Sequence, residues 1–168
     1  MHRRARGLNS KTLIVRDTRE TYMSALKGER RANYPYGLQI PTRWMDCDAY
    51  GHVNNVVYYS WFDTAVTRML FEAKLIWMGD SPIIGLCVES HCEFFAPVAF
   101  PETVDARVRI GRVGDKSLRY EIALFPADRD EPAAAGYFVH VFVDRATRRP
   151  VALTADQKAL VAHLAAAA

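Results

Sequence analysis

Two kinds of hydrophobic periodicity divide the chain. From residue 55 to about residue 77 the apolar side chains Tyr58, Phe62, Ala65, Met69, Ala73 and Ile76 recur at steps of three and four, flanked by Tyr59, Val66, Leu70 and Trp77. That spacing predicts a helix of about six turns whose wide apolar face demands burial. Most of the remainder is strand-like. Val104, Ala106, Val108 and Ile110 alternate with Asp105, Arg107 and Arg109; after the turn signal Gly114-Asp115, Leu118, Tyr120, Ile122 and Leu124 alternate with Arg119 and Glu121. Period-two runs around a Gly-Asp pair predict a hairpin with one apolar face. Residues 83–95 alternate more loosely, and 135–144 are apolar on both faces, as a strand in the interior of a sheet would be. A first strand over 38–45 contains Pro41, which lacks an N–H and belongs at an edge or a strand start. Short helices are expected over 20–31 and, with Thr154 as N-cap, over 154–164.

The predicted order is one strand, one long buried helix and about four antiparallel strands, an α+β arrangement in which the helix covers one face of the sheet. A chain of 168 residues suits a single domain. No apolar run reaches the ~18 residues of a membrane-spanning helix. The cysteines Cys47, Cys87 and Cys92 have no CxxC spacing, which argues for a reducing, cytoplasmic compartment and against a structural zinc site or a disulfide framework.

Charge is unevenly spread. Residues 1–36 carry nine Lys or Arg against three acids, whereas residues 37–168 carry thirteen against sixteen, so the net +3 of the chain is +6 in an N-terminal arm and −3 in the rest. The plainest reading is a basic arm, poorly ordered, ahead of a domain over 37–168. Its Arg-rich, acid-poor first sixteen residues also have the composition of an organelle transit peptide, and nucleic acid is the less expected partner.

The densest chemistry lies in Asp46-Cys47-Asp48-Ala49-Tyr50-Gly51-His52-Val53-Asn54-Asn55, immediately before the long helix. A helix start offers unpaired N–H groups and partial positive charge, so an oxygen that gains negative charge during a reaction is stabilised there. On spacing alone Asp46, Asp48 and Asn54 read as caps of turn or helix amides. Gly51 reads as a positive-φ position or a point of close substrate approach. Tyr58, Trp61 and Phe62 read as core aromatics first and pocket lining second. Glu89 and His91 form the other acid and imidazole pair near the predicted sheet centre; His140 and His163 read as structural.

This motif, followed by a buried helix and an antiparallel meander, resembles the hotdog-fold acyl-CoA thioesterases of the 4-hydroxybenzoyl-CoA thioesterase type, over residues 37 to about 153. Its Gly51-His52-Val53-Asn54-Asn55 variant is similar to the branch of bacterial acyl-CoA and plant acyl-carrier-protein thioesterases. The resemblance implies a hotdog fold, an antiparallel sheet of about five strands wrapped around one long central helix. It implies hydrolysis of an acyl-CoA thioester without metal or redox cofactor, in a homodimer or dimer of dimers with sites between protomers. Asp48 takes the place of the catalytic carboxylate, as general base or nucleophile, and the Asn55 amide that of the oxyanion donor. His52 either hydrogen-bonds the thioester or braces the turn, since Tyr50 stands where that branch carries an asparagine. Gly51, Tyr58 and Trp61 would border the substrate. Arg112 and Lys116, with Arg107, Arg109 and Arg119 around the same hairpin, are the expected partners of coenzyme A phosphates. The alternative is a non-catalytic acyl-thioester-binding or regulatory hotdog protein whose arm contacts nucleic acid; Asp48 and the lack of a DNA-binding helix pair favour the enzyme.

Overall fold

Alternation along β-strands sorts apolar from charged residues onto opposite faces of a single sheet. The computed structural model describes residues 26–75, 79 and 81–166. Its strands are β1 (Tyr36–Pro41), β2 (Ile83–Phe94), β3 (Thr103–Val113), β4 (Ser117–Pro126) and β5 (Ala134–Asp144). They stand in the order β1-β3-β4-β5-β2, each pair antiparallel. Helix α1 (Asn55–Glu72) joins β1 to β2. Because these two consecutive strands occupy opposite edges, α1 must cross the sheet between them. The result is the hotdog fold.

One face of the sheet is the core. Val104, Ala106 and Val108 of β3 and Leu118, Tyr120, Ile122 and Leu124 of β4 share one buried cluster with Tyr58, Trp61, Phe62, Ala65, Val66, Met69 and Leu70 of α1. Each large side chain so removed from water contributes roughly 2 kcal/mol. Phe62 meets Phe138 of β5 edge to face at 5.9 Å, which ties the helix to the far half of the sheet. A closing helix α2 (Ala155–Ala166) packs on β3. Its Thr154 accepts from the Gln157 N–H at 3.2 Å, while the Gln157 side chain accepts from the Thr154 N–H at 3.0 Å, a reciprocal cap.

The outer face carries a second, smaller core. Ala123, Phe125 and Ala135 are buried there with Tyr34, which is 1% exposed. This explains why β5 is apolar on both faces. Residues 26–35, counted with the basic arm on charge alone, supply the cover. Arg31 donates to Asp105 at 2.8 Å and to the carbonyls of Pro126 and Arg129 at 3.2 and 2.7 Å. Arg109 pairs with Glu29 at 2.8 Å and Glu121 at 2.7 Å, and lies over the Tyr34 ring. The expected boundary at residue 36 therefore falls inside packed chain. Of the helix expected over 20–31, residues 20–25 lie outside the described residues, and Arg31–Asn33 form one 3-10 turn.

The long helix ends earlier than its periodicity suggests. The apolar spacing runs to about residue 77, but α1 stops at Glu72; residues 76–78 lie outside the described residues. Lys74 turns left-handed at φ +57°, its N–H bonds the Phe71 carbonyl at 3.0 Å, and the Leu75 N–H bonds the Leu70 carbonyl at 2.9 Å. This is a Schellman closure, with Leu70 and Leu75 buried together. A glycine normally marks such a stop, and here a lysine occupies the position, so the sequence carries no signal for it. Replacing Lys74→Gly should relieve backbone strain and raise stability by about 1 kcal/mol, seen as a rise of about 2–4 °C in Tm.

Candidate active site

The site begins with how the chain enters α1. Asn54 caps the helix: its side-chain oxygen accepts from the Val56 N–H at 3.1 Å and its carbonyl from the Val57 N–H at 2.9 Å. The Asn54 N–H is itself given to the Asp46 carbonyl at 2.9 Å. At the next residue, Asn55, the main-chain N–H makes no hydrogen bond among the described residues. A free donor is thus left at the positive end of an 18-residue helix.

Ahead of the cap the chain makes a tight hairpin. Cys47 and Val53 bridge its base, the Asp48 N–H bonds the His52 carbonyl at 2.9 Å, and the Gly51 N–H bonds the Asp48 carbonyl at 3.1 Å. Gly51 sits at φ +80° with open space around the position of a Cβ, so its need is conformational and not steric. The Val53 N–H then bonds the Val98 carbonyl at 2.8 Å and fastens the turn to the segment after β2.

The two carboxylates have different surroundings. Asp46, 2% exposed, accepts from the Arg43 N–H at 2.7 Å and from its guanidinium at 2.9 and 3.1 Å. It is committed to holding the turn. Asp48 is half-buried; its Oδ1 accepts the Tyr50 N–H at 2.8 Å, and among the described residues its Oδ2 has no hydrogen-bond partner. Tyr50 contributes this main-chain N–H while its side chain stands in solvent, 87% exposed.

His52, Asn55 and Tyr58 share one cleft of about 340 Å³ with Phe94, Ala96 and Pro97. Asp48 and Gly51 lie on the adjoining turn and are not among its lining residues. Tyr58 lies between the rings of Trp61, at 5.4 Å, and Phe94, at 5.1 Å. Trp61 is buried behind it in the core and does not line the cleft. Burial pushes the Tyr58 phenol up to about 12, so it stays a neutral donor. The Cys92 thiol is likewise raised to about 12, by burial and then by Glu93, and burial also raises Cys87. Neither offers a thiolate nucleophile at neutral pH.

Other expected residues are not brought here within one chain. Arg112 and Lys116 sit at the β3–β4 hairpin, whereas β3 meets the site end of the sheet at Thr103, opposite Pro41. Nine residue steps along the strand separate Thr103 from Arg112, about 30 Å at ~3.3 Å per step. Arg107 and Arg109 are held in ion pairs on the outer face, and Arg119 lies over the Tyr137 ring. Glu89 and His91 also face outward: Glu89 accepts from the Tyr137 hydroxyl at 2.6 Å, and His91 bonds Glu93 at 2.9 Å. The cleft wall formed by residues 94–97 escapes a reading based on alternation. Its only signal is the Phe94-Phe95 pair before Ala-Pro, two adjacent aromatics that must take opposite faces.

These elements define a class: a hotdog domain that presents a carboxylate-bearing hairpin at the open N-terminus of its central helix. Residues 42–161 match the Thioesterase-like superfamily, and the chain belongs to that family. It is 47% identical to the PA5185 protein of Pseudomonas aeruginosa strain PAO1, with a TM-score of 0.77 over 80% of this chain and 94% of that one. A thioesterase from Thermus thermophilus, solved in complex with coenzyme A and zinc, is 25% identical, with a TM-score of 0.69 over 79% of this chain and 96% of its own. The Bacillus subtilis strain 168 protein YsmA is 25% identical over 136 residues, 80% of this chain and 90% of YsmA.

The hairpin geometry sets a test. Gly51→Ala should destabilise the fold by about 1 kcal/mol, because an alanine is strained at positive φ, while Gly51→Asn should cost less. Urea denaturation of both variants checks the order; equal stabilities would show that the turn does not need this conformation.

Proposed function

We propose that this protein hydrolyses an acyl-CoA thioester to the free acid and coenzyme A. The observation that carries the reading is an uncommitted Asn55 N–H at the start of α1, directly after the hairpin that carries the half-committed Asp48 carboxylate. Attack on a thioester carbonyl turns its oxygen into an oxyanion, and a fixed donor at a helix N-terminus stabilises that charge most where it develops. Asp48 supplies the other half. As general base it takes a proton from water while the hydroxyl bonds to the carbonyl carbon. As nucleophile it forms a mixed anhydride that water then cleaves. Both routes expel the coenzyme A thiolate, which takes up a proton, and both use the same two groups. His52, on the cleft wall, is placed to hydrogen-bond the thioester, with Gly51 keeping the turn open to it and Tyr58 forming the floor. Membership of the thioesterase-like family supports the reaction class. The proposed compartment is the cytoplasm; no helix among the described residues is long and apolar enough to cross a membrane.

The working form we infer is a homodimer or a dimer of dimers. Among the described residues β2 pairs only with β5, which leaves the other edge of a 12-residue strand unpaired. That edge exposes Leu86 and, at an irregularity in the register, Val88. A long edge with apolar side chains invites a second copy. Val88→Lys should therefore shift the protein from dimer to monomer in sedimentation experiments; an unchanged mass would place the interface elsewhere.

Replacing Asp48→Asn should lower kcat by about 10²–10⁴-fold with circular dichroism unchanged. Asn55→Ala, which keeps the main-chain N–H, should stay within about tenfold of the parent rate. Thiol release from acyl-CoAs of several chain lengths measures both. If Asp48→Asn retains most of the parent rate, the catalytic assignment is wrong.

A further inference from the structure

A second concavity, of about 520 Å³, lies beside the outer-face cluster and is bounded by Lys27, Arg30 and Arg129, with Glu131 also in its wall. Phe95 and Ala96 line both this cavity and the cleft that holds His52 and Asn55. The two therefore meet across a single short piece of chain. One side offers an oxyanion donor, the other a concentration of positive charge.

The cations of this cavity differ in how they are engaged. Arg129 is fixed as a wall: it pairs with Glu102 at 3.0 Å and donates to the Pro97 carbonyl at 3.3 Å. Its Nε is buried without a hydrogen bond, its approach to Asp128 at 3.4 Å notwithstanding. Lys27 forms no ion pair among the described residues, and Arg30 donates only to the carbonyls of Gly28 and Glu29, at 3.2 Å each. Both side chains are exposed and open to a ligand. By contrast, Arg107 and Arg109 on the outer face are held by carboxylates, and Arg119 lies over the Tyr137 ring.

We propose that Lys27 and Arg30, with Arg129, form the subsite for the phosphates of the coenzyme A nucleotide, and that the pantetheine arm crosses Phe95 and Ala96 to bring the thioester to Asn55 and Asp48. The proposal rests on the acyl-CoA reading above and extends it to residues outside the catalytic hairpin. Coenzyme A carries a diphosphate and a 3′-phosphate at one end and its thioester at the other, joined by a slender, mostly apolar-tolerant arm. Its two ends need a cationic site and an oxyanion site separated by a shallow passage. Guanidinium and ammonium groups bind phosphate through charge-assisted hydrogen bonds. The segment 26–35 thereby becomes part of the substrate site as well as the cover of the outer core, and the cationic role expected of Arg112 and Lys116 passes, within one chain, to Lys27 and Arg30.

Calorimetric titration of the full chain with coenzyme A and with adenosine 3′,5′-bisphosphate tests this. In Lys27→Ala/Arg30→Ala the Kd of both ligands should rise about tenfold or more, and in Lys27→Glu/Arg30→Glu further still. Arg30→Lys should recover most of the affinity. The ratio of kcat/KM for acyl-CoA to that for the matching acyl-pantetheine should fall by a similar factor, because only the former carries the nucleotide. Both residues are exposed, so their truncation opens no core; if the double variant is unfolded, Lys27→Ala alone decides by the same measurements. Folded variants that bind coenzyme A and the bisphosphate as tightly as the parent overturn the proposal. So does a parent protein that binds no bisphosphate. Should the parent hydrolyse neither thioester while its coenzyme A affinity still depends on Lys27 and Arg30, the hydrolase reading fails and the phosphate subsite stands.

Discussion

The inner core and the placement of the site depend on the burial of one aromatic-rich helix across one face of an antiparallel sheet. α1 has to connect two strands at opposite edges, so its direction across the sheet is set by topology. Tyr58, Phe62, Ala65, Val66 and Met69 then fix its rotation, because turning it would expose them. With direction and rotation both determined, its N-terminus is delivered to the end of the sheet where β1 finishes and the segment after β2 runs past. Core packing thus aims the open end of the helix. The site needs no separate scaffold.

Two aspartates two residues apart show how environment divides labour. Asp46 is buried and saturated by Arg43, and its carbonyl receives the Asn54 N–H, so it pins both ends of the entry to the helix. Asp48 is bound through one oxygen only and stands at the mouth of the hairpin. A carboxylate satisfied on all sides is structural; one held in place with an oxygen to spare is oriented for work. Burial keeps Cys92 and Tyr58 protonated, and in the proposed reaction it is Asp48 that supplies the oxygen nucleophile or base.

The outer face is organised by a different balance. Asp105 is 1% exposed and sits between Arg31 and Arg107 at 2.8 Å each, so the chain from residue 26 is clipped to the sheet by an ion pair whose buried carboxylate also holds a second guanidinium. Arg109 loses hydration by partial burial, yet its bonds to Glu29 and Glu121 hold its pKa above the usual value. Ionic contacts here do what apolar contacts do on the inner face. They attach a segment whose own hydrophobic residues, Leu26 and Tyr34, are few.

The sequence by itself determined the element types and the motif. Period-two alternation in β3 and β4, the three-and-four spacing of α1, the turn at Gly114 and the cap at Thr154 are local properties, written by side-chain direction along a regular backbone. The clustering of Asp46, Asp48, Gly51, His52 and Asn54 before that helix was legible for the same reason. Only the tertiary structure decided which strands are neighbours, that Lys74 ends the helix in a left-handed turn, that residues 26–35 belong to the packed domain, and that residues 94–97 wall the cleft. It also separated Arg112 and Lys116 from the Asp48 hairpin by nearly the length of a strand. Strand order, ion pairs such as Arg31–Asp105 and shared cavities depend on residues far apart in the chain meeting in space. Local periodicity records which face of an element is buried and carries no record of what it is buried against.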